Sequence, residues 1–163
     1  VKHVYGVEII EEAIQNAYDN AKLNELDNIE FVCAKAEEQI KEWAQLGIHA
    51  DAIVVDPPRK GCEGDFLKTV VEMNIPKIVY VSCDVGTLAR DLNILSSKYH
   101  IRSIDLVDMF PHTRHAEAVV FCEAKADPRK PRSSYGSDYS MFKEKNRGSR
   151  TSRNICDSHW DGA

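Results

Sequence analysis

The sequence has no Cys-x-x-Cys pair, and its five cysteines (33, 62, 83, 122 and 156) are odd in number. Neither a disulfide framework nor a structural zinc site is indicated, so a reducing, cytoplasmic compartment is expected. No apolar run approaches the roughly 20 residues that span a bilayer, and no signal peptide is visible, so no membrane partner is expected. No internal repeat is present. Positive charge is scarce over most of the chain: residues 1–124 carry 12 Lys+Arg against 21 Asp+Glu. Such an acidic body makes a poor general-purpose nucleic-acid surface, because non-specific affinity comes mainly from neutralising phosphates.

What is present reads as one globular domain with a tail. Of the 163 residues, 43% are hydrophobic and 29% charged, values typical of a soluble domain with a real core. From about Lys125 the composition turns to Ser, Arg, Lys and Gly without hydrophobic periodicity. Residues 125–163 are therefore expected to form a disordered basic tail, either inert or touching RNA, because they cannot bury enough apolar surface to offset ordering entropy. The domain is assigned to residues 1–124.

Within it, strand and helix patterns alternate. The chain opens on Val1-Lys2-His3-Val4-Tyr5-Gly6-Val7-Glu8, a strand pattern with no initiator methionine, which suggests further residues upstream. A helix follows, with Ile10, Ala13, Ile14, Ala17 and Ala21 at helical spacing. Then come a strand at 29–33, a helix at 36–46 stopped by Gly47, an apolar strand at 52–55, a helix at 66–73 and a strand leading to Cys83. A helix at 84–97 and strands near 101–108 and 118–121 complete the domain. This alternation points to βαβ units and a mainly parallel sheet with helices on both faces.

Three constellations could carry chemistry. In Ile78-Val79-Tyr80-Val81-Ser82-Cys83-Asp84, a buried strand runs into a cysteine, and Asp84 is a good N-cap for a helix with Leu88, Leu92 and Leu95 on one face. Open α/β sheets place their sites at such strand ends, and a helix N-terminus favours thiolate over thiol. Locally, Cys83 reads equally well as a nucleophile or as a small buried hydrophobe. In Asp56-Pro57-Pro58-Arg59-Lys60-Gly61 the prolines stiffen the chain and hold Asp56 at the sheet edge. Amino-group methyltransferases share the Asp-Pro-Pro start but continue with an aromatic residue; Arg59 instead offers a cationic fork for phosphate or carboxylate. The third stretch, Asp108 to Glu117, crowds polar groups into a loop between strands. His112 and His115, at i, i+3 without a third ligand, do not make a metal site and read as hydrogen-bonding loop residues or RNA contacts. Glu8 ends the first strand, where nucleotide-binding folds often keep an acid for ribose hydroxyls. Cys33 and Cys122 read as core strand residues and Cys62 as a packing residue.

Taken together, Tyr5-Gly6-Val7-Glu8, Asp56 to Gly61, Ser82-Cys83-Asp84 with Thr87-Leu88-Ala89-Arg90-Asp91, and Asp108 to Thr113 with His115 and Glu117 resemble the RNA 5-methyluridine (uracil-C5) methyltransferases of the RumA and TrmA type. These modify uracil in 23S ribosomal RNA or tRNA. The resemblance implies a Rossmann-like, class I S-adenosylmethionine-dependent methyltransferase sheet. It implies S-adenosyl-L-methionine as methyl donor, Cys83 as nucleophile, Glu117 as proton-abstracting base, Glu8 on the cofactor ribose and Asp56 lining the pocket shared by cofactor and uracil. The implied substrate is RNA, 23S rRNA favoured over tRNA, and the implied state a monomer without metal. The family usually has Asn-Pro after the cysteine, where this chain has Asp84-Val85, and Lys35 stands where a polar or acidic residue often meets the adenine.

The glycine-rich cofactor loop and the strand before it have no counterpart in the sequence. In this fold that strand lies between the strands at 4–8 and 52–55, so the sheet is expected to lack its first strand and to have a hole at its centre. Two other readings compete: a truncated, non-catalytic RNA-binding fragment, and a methyltransferase acting on another nucleic-acid position.

Overall fold

The computed structural model describes residues 1–109, 111–113 and 116–126. The proposed tail, apart from Lys125 and Ala126, lies outside the described residues, as do Cys156, Arg114 and His115. In chain order the elements are β1 (Val4–Glu8), α1 (Glu11–Leu23), β2 (Ile29–Cys33), α2 (Ala36–Gln45), β3 (Ala52–Val55), α3 (Gly64–Glu72), β4 (Lys77–Ser82), α4 (Val85–Leu95), β5 (Tyr99–Val107) and β6 (Glu117–Ala124).

The strands form two sheets rather than one. β1 pairs with β2 in parallel, and the second sheet has the order β3-β4-β6-β5. Only β3 and β4 are parallel in that second sheet; β6 runs antiparallel to both β4 and β5. The expectation of a mainly parallel sheet thus holds for the βαβ units and fails after β5. The reason is covalent: a parallel return needs a crossover of a dozen or more residues, usually helical, and the segment 108–116 is too short to provide one. Among the described residues β1 pairs only with β2 and β3 only with β4, so one edge of each is unpaired. The expected central break in the sheet lies there.

Helices cover both faces of the first sheet, whereas the second sheet is covered on one face and leaves Val54, Ile104 and Leu106 exposed on the other. Register partners Gly6 and Phe31 share one face of the first sheet, and Tyr18 of α1 packs edge-on against Phe31 with ring centroids 4.9 Å apart. Gly6 leaves room for that ring: an added Cβ would lie 2.5 Å from Phe31. Tyr5 points the other way and meets Trp43 of α2 at 5.3 Å. On that side α2, α3 and α4 enclose the main core, where the cross-strand pairs Ile78–Cys122 and Tyr80–Val120 are almost completely buried against Leu67, Val70 and Leu95. The two-residue side-chain period of β4 accounts for this: Ile78, Tyr80 and Ser82 point inward, while Val79 and Val81 are half-buried on the opposite face.

Two local expectations are corrected. Cys33 is exposed, because it ends a strand in a two-stranded sheet. Ile10, 55% exposed, sits at the N-cap of α1 and not on its buried face, which Ile14 and Ala21 supply. Cys122 is buried as expected. No helix among the described residues is long and apolar enough to cross a membrane.

Candidate active site

The parallel strands deliver their carboxyl ends to one edge, and the sequence-derived candidates collect there. Glu8 ends β1. Its Oε1 accepts hydrogen bonds from the backbone N–H groups of Ile9 (2.7 Å) and Ile10 (3.0 Å). These amides precede α1, whose N-cap residue has no side-chain cap, so the glutamate takes over part of that task and is itself oriented. Its second oxygen is left as an acceptor.

Asp56 follows β3 directly. Both carboxylates line a cleft of about 540 Å³ between β1 and β3, which Tyr5, Val7, Trp43, Ile53, Lys35 and Pro57 also line. That volume lies within the roughly 300–1,000 Å³ of small-molecule pockets. Lys35, whose contact with a ligand was open in the sequence, lies at this cleft and pairs with Glu38 at 3.4 Å.

Cys83 is half-buried between β4 and α4. Asp84 caps α4 as expected, accepting from the Thr87 N–H at 2.9 Å, and that bond holds its carboxyl below the usual carboxylate range. Ser82 tightens the same turn: its Oγ accepts from the Asp84 N–H (3.2 Å) and donates to the Asp84 carbonyl (3.0 Å). Ser82 pairs with Ala118 across the antiparallel β4–β6 ladder. The next residues along are Cys83, just past the end of β4, and Glu117, the first residue of β6. Asp56 is the next residue after Val55, which pairs with Tyr80 of β4, so it lies beside the same turn. Cys83 and Glu117 thus flank the last pair of the β4–β6 ladder, while Glu8 and Asp56 line one cleft.

Sequence reasoning missed a set of buried polar contacts behind this edge. Asp91, completely buried, accepts from the Tyr80 hydroxyl (2.6 Å), the Cys62 N–H (2.8 Å) and Arg90 Nε (2.8 Å). Arg90 also donates to the carbonyls of Lys60 (2.9 Å) and Cys62 (3.2 Å), and Thr87 Oγ1 to that of Arg59 (2.9 Å). Cys62 packs against the core as expected, and burial pushes its thiol up to about 11. The one signal available in the sequence was an acid at position 91 on the apolar face of α4, beside Leu88, Leu92 and Leu95.

A profile of the tRNA (uracil-5-)-methyltransferase family matches residues 1–125. The chain belongs to this family. An uncharacterized RNA methyltransferase of Listeria monocytogenes is 56% identical over 119 residues, which are 72% of this chain and 26% of that protein. Another, from Staphylococcus aureus, is 46% identical over 124 residues, or 76% of this chain and 27% of that protein. The chain thus spans about a quarter of the length of these curated relatives. Among solved structures, the tRNA (uracil-54, C5)-methyltransferase of Pyrococcus abyssi, in complex with S-adenosyl-L-homocysteine, superposes with a TM-score of 0.63 at 36% identity, over 74% of this chain and 28% of that one. A putative SAM-dependent methyltransferase from Streptococcus mutans matches the fold alone, with a TM-score of 0.61 at 12% identity over 74% of this chain and 38% of that chain. The two sheets with their flanking helices are those of a Rossmann-like methyltransferase domain.

Proposed function

We propose that this member of the uracil-5-methyltransferase family supplies the catalytic edge and part of the cofactor cleft of an enzyme that methylates C5 of uridine in RNA. The observation that carries the reading is the β4–β6 register, whose last pair, Ser82–Ala118, is followed directly by Cys83 on one strand and preceded directly by Glu117 on the other. A nucleophile and a base on adjacent strands can reach neighbouring atoms of one flat ring.

The cleft residues fit S-adenosyl-L-methionine. Glu8 is held by two backbone amides with one oxygen left to accept from a ribose diol, Asp56 supplies a negative wall suited to a sulfonium, and Tyr5 and Trp43 offer apolar surface. When bound, the cofactor supplies an electrophilic methyl group. Cys83 thiolate adds to C6 of the uracil, which raises electron density at C5, otherwise too weak a nucleophile. After C5 has gained its methyl group, Glu117 removes the C5 proton, the electron pair re-forms the C5–C6 double bond, and the C6–S bond breaks to release Cys83. The substrate is RNA of the 23S ribosomal or tRNA kind, and transcripts of both serve as arms of the test.

In the protein that carries this chain, Cys83→Ala abolishes methyl transfer to uridine-containing RNA. Glu117→Gln accumulates a covalent protein–RNA adduct on a denaturing gel, because proton removal precedes expulsion of the thiolate. Normal turnover by Cys83→Ala on either RNA refutes the nucleophile, and a Glu117→Gln variant that yields only free protein refutes the base.

A further inference from the structure

The segment Thr87-Leu88-Ala89-Arg90-Asp91 has no part in the chemistry above, yet it holds a completely buried carboxylate. Three of its side chains reach back about 28 residues to the loop that follows Asp56. Thr87 bonds the Arg59 carbonyl, Arg90 the Lys60 and Cys62 carbonyls, and Asp91 the Cys62 amide. Gly61 lies in the middle of these contacts, and a Cβ there would come within 2.6 Å of both Arg90 Nη2 and Asp91 Oδ2. The loop is thus seated on α4, the helix that begins two residues after Cys83. Nothing in the core demands a carboxylate at position 91. A leucine would continue the apolar face of α4, but it would leave the Cys62 amide and the Tyr80 hydroxyl without their acceptor.

We propose that Asp91 is a positioning residue that locks the Asp56–Cys62 loop against α4 and so fixes Asp56 and Arg59 relative to Cys83. The catalytic consequence rests on the methyltransferase reading; the locking does not. Asp91 accepts on both oxygens, from Arg90 on Oδ1 and from Cys62 and Tyr80 on Oδ2. Asn retains a single acceptor oxygen, so in either orientation its amide NH₂ faces an N–H donor, and the loop loses its anchor.

The loop contains its own reporter. Cys62 is half-buried in the locked state, while Cys122, fully buried in β6, reports on the core. Iodoacetamide labelling resolved by peptide mass spectrometry, in the protein that carries this chain, separates the two. Asp91→Asn should accelerate Cys62 labelling roughly ten- to hundredfold, the equivalent of one lost hydrogen bond to a charged group. Cys122 should stay protected, and kcat for methyl transfer should fall with little change in KM for RNA. Arg90→Lys keeps a cation at an exposed position but removes the fork that bridges two carbonyls; it should shift Cys62 in the same direction by less, and it provides the readout if Asp91→Asn does not fold. Labelling of Cys62 and Cys122 rising together, or Cys62 unmoved in either folded variant, overturns the proposal. Turnover by Cys83→Ala would remove the cysteine-nucleophile reading and leave the labelling result standing.

Discussion

Gly61 is the most demanding position in the loop after Asp56, and replacing it with alanine separates two costs that usually come together. Its φ is +77°, in the left-handed region, where a Cβ costs about 1–2 kcal/mol. The added carbon also meets Arg90 Nη2 and Asp91 Oδ2 at 2.6 Å and Thr87 Cβ at 3.2 Å. The arginine head can swing away only by giving up its bonds to the Lys60 and Cys62 carbonyls. The carboxylate cannot retreat, because it is fully buried and tied to Tyr80 and Cys62. Overpacking of this kind costs about 1–3 kcal/mol, which brings the expected loss for Gly61→Ala to about 2–5 kcal/mol. Two other glycines provide the controls. Gly47 has φ +71° with nothing within 4 Å of the added carbon, so Gly47→Ala should cost only the backbone share, about 1–2 kcal/mol. Gly64, the first residue of α3, has open space and no positive φ, so Gly64→Ala should be neutral or stabilising by up to about 1 kcal/mol. Urea titrations at a common m-value rank the three by their midpoints. A Gly61→Ala midpoint no lower than that of Gly47→Ala would mean that the contacts with α4 are loose, and the crowding argument would fail.

Tyr80→Phe removes one of the donors to the buried Asp91 carboxylate without changing the ring, and should lower stability by about 1.5–3 kcal/mol in the same titration; a loss below about 0.5 kcal/mol would contradict a strong bond at 2.6 Å. Burial pushes the Cys62 thiol up to about 11 from 9.0, so between those values the unfolded chain gives up a proton that the folded chain keeps. Stability should therefore fall as pH rises through that window. The stability advantage of wild type over Cys62→Ala should shrink from pH 9 to 11, and a constant difference would show that the thiol is not shielded.

Three of the candidates, Glu8, Asp56 and Cys83, were legible in the sequence because each stands at the end of a strand pattern. Glu8 follows Tyr5-Gly6-Val7, Asp56 follows Ala52 to Val55, and Cys83 follows Ile78 to Ser82, each apolar run stopping where backbone leaves the sheet. The N-cap at Asp84 and the Leu88, Leu92, Leu95 stripe were equally visible, since capping and helical periodicity act within a few residues. Cys33 and Ile10 were misread for the opposite reason. An apolar residue at a correct local position is buried only if another element arrives to cover it, and at these two positions none does.

Sequence alone determined the order and kind of the elements, the strand ends and the helix start behind Cys83, because these follow from side-chain period, proline and capping chemistry. Only the tertiary structure decided that β6 returns antiparallel, that its register pairs Ser82 with Ala118, and that Asp91 serves Cys62 and Tyr80. Those outcomes join residues 11 to 46 positions apart, and such pairings are set by the competition of whole faces for burial. That competition has no signature in any local window of the chain.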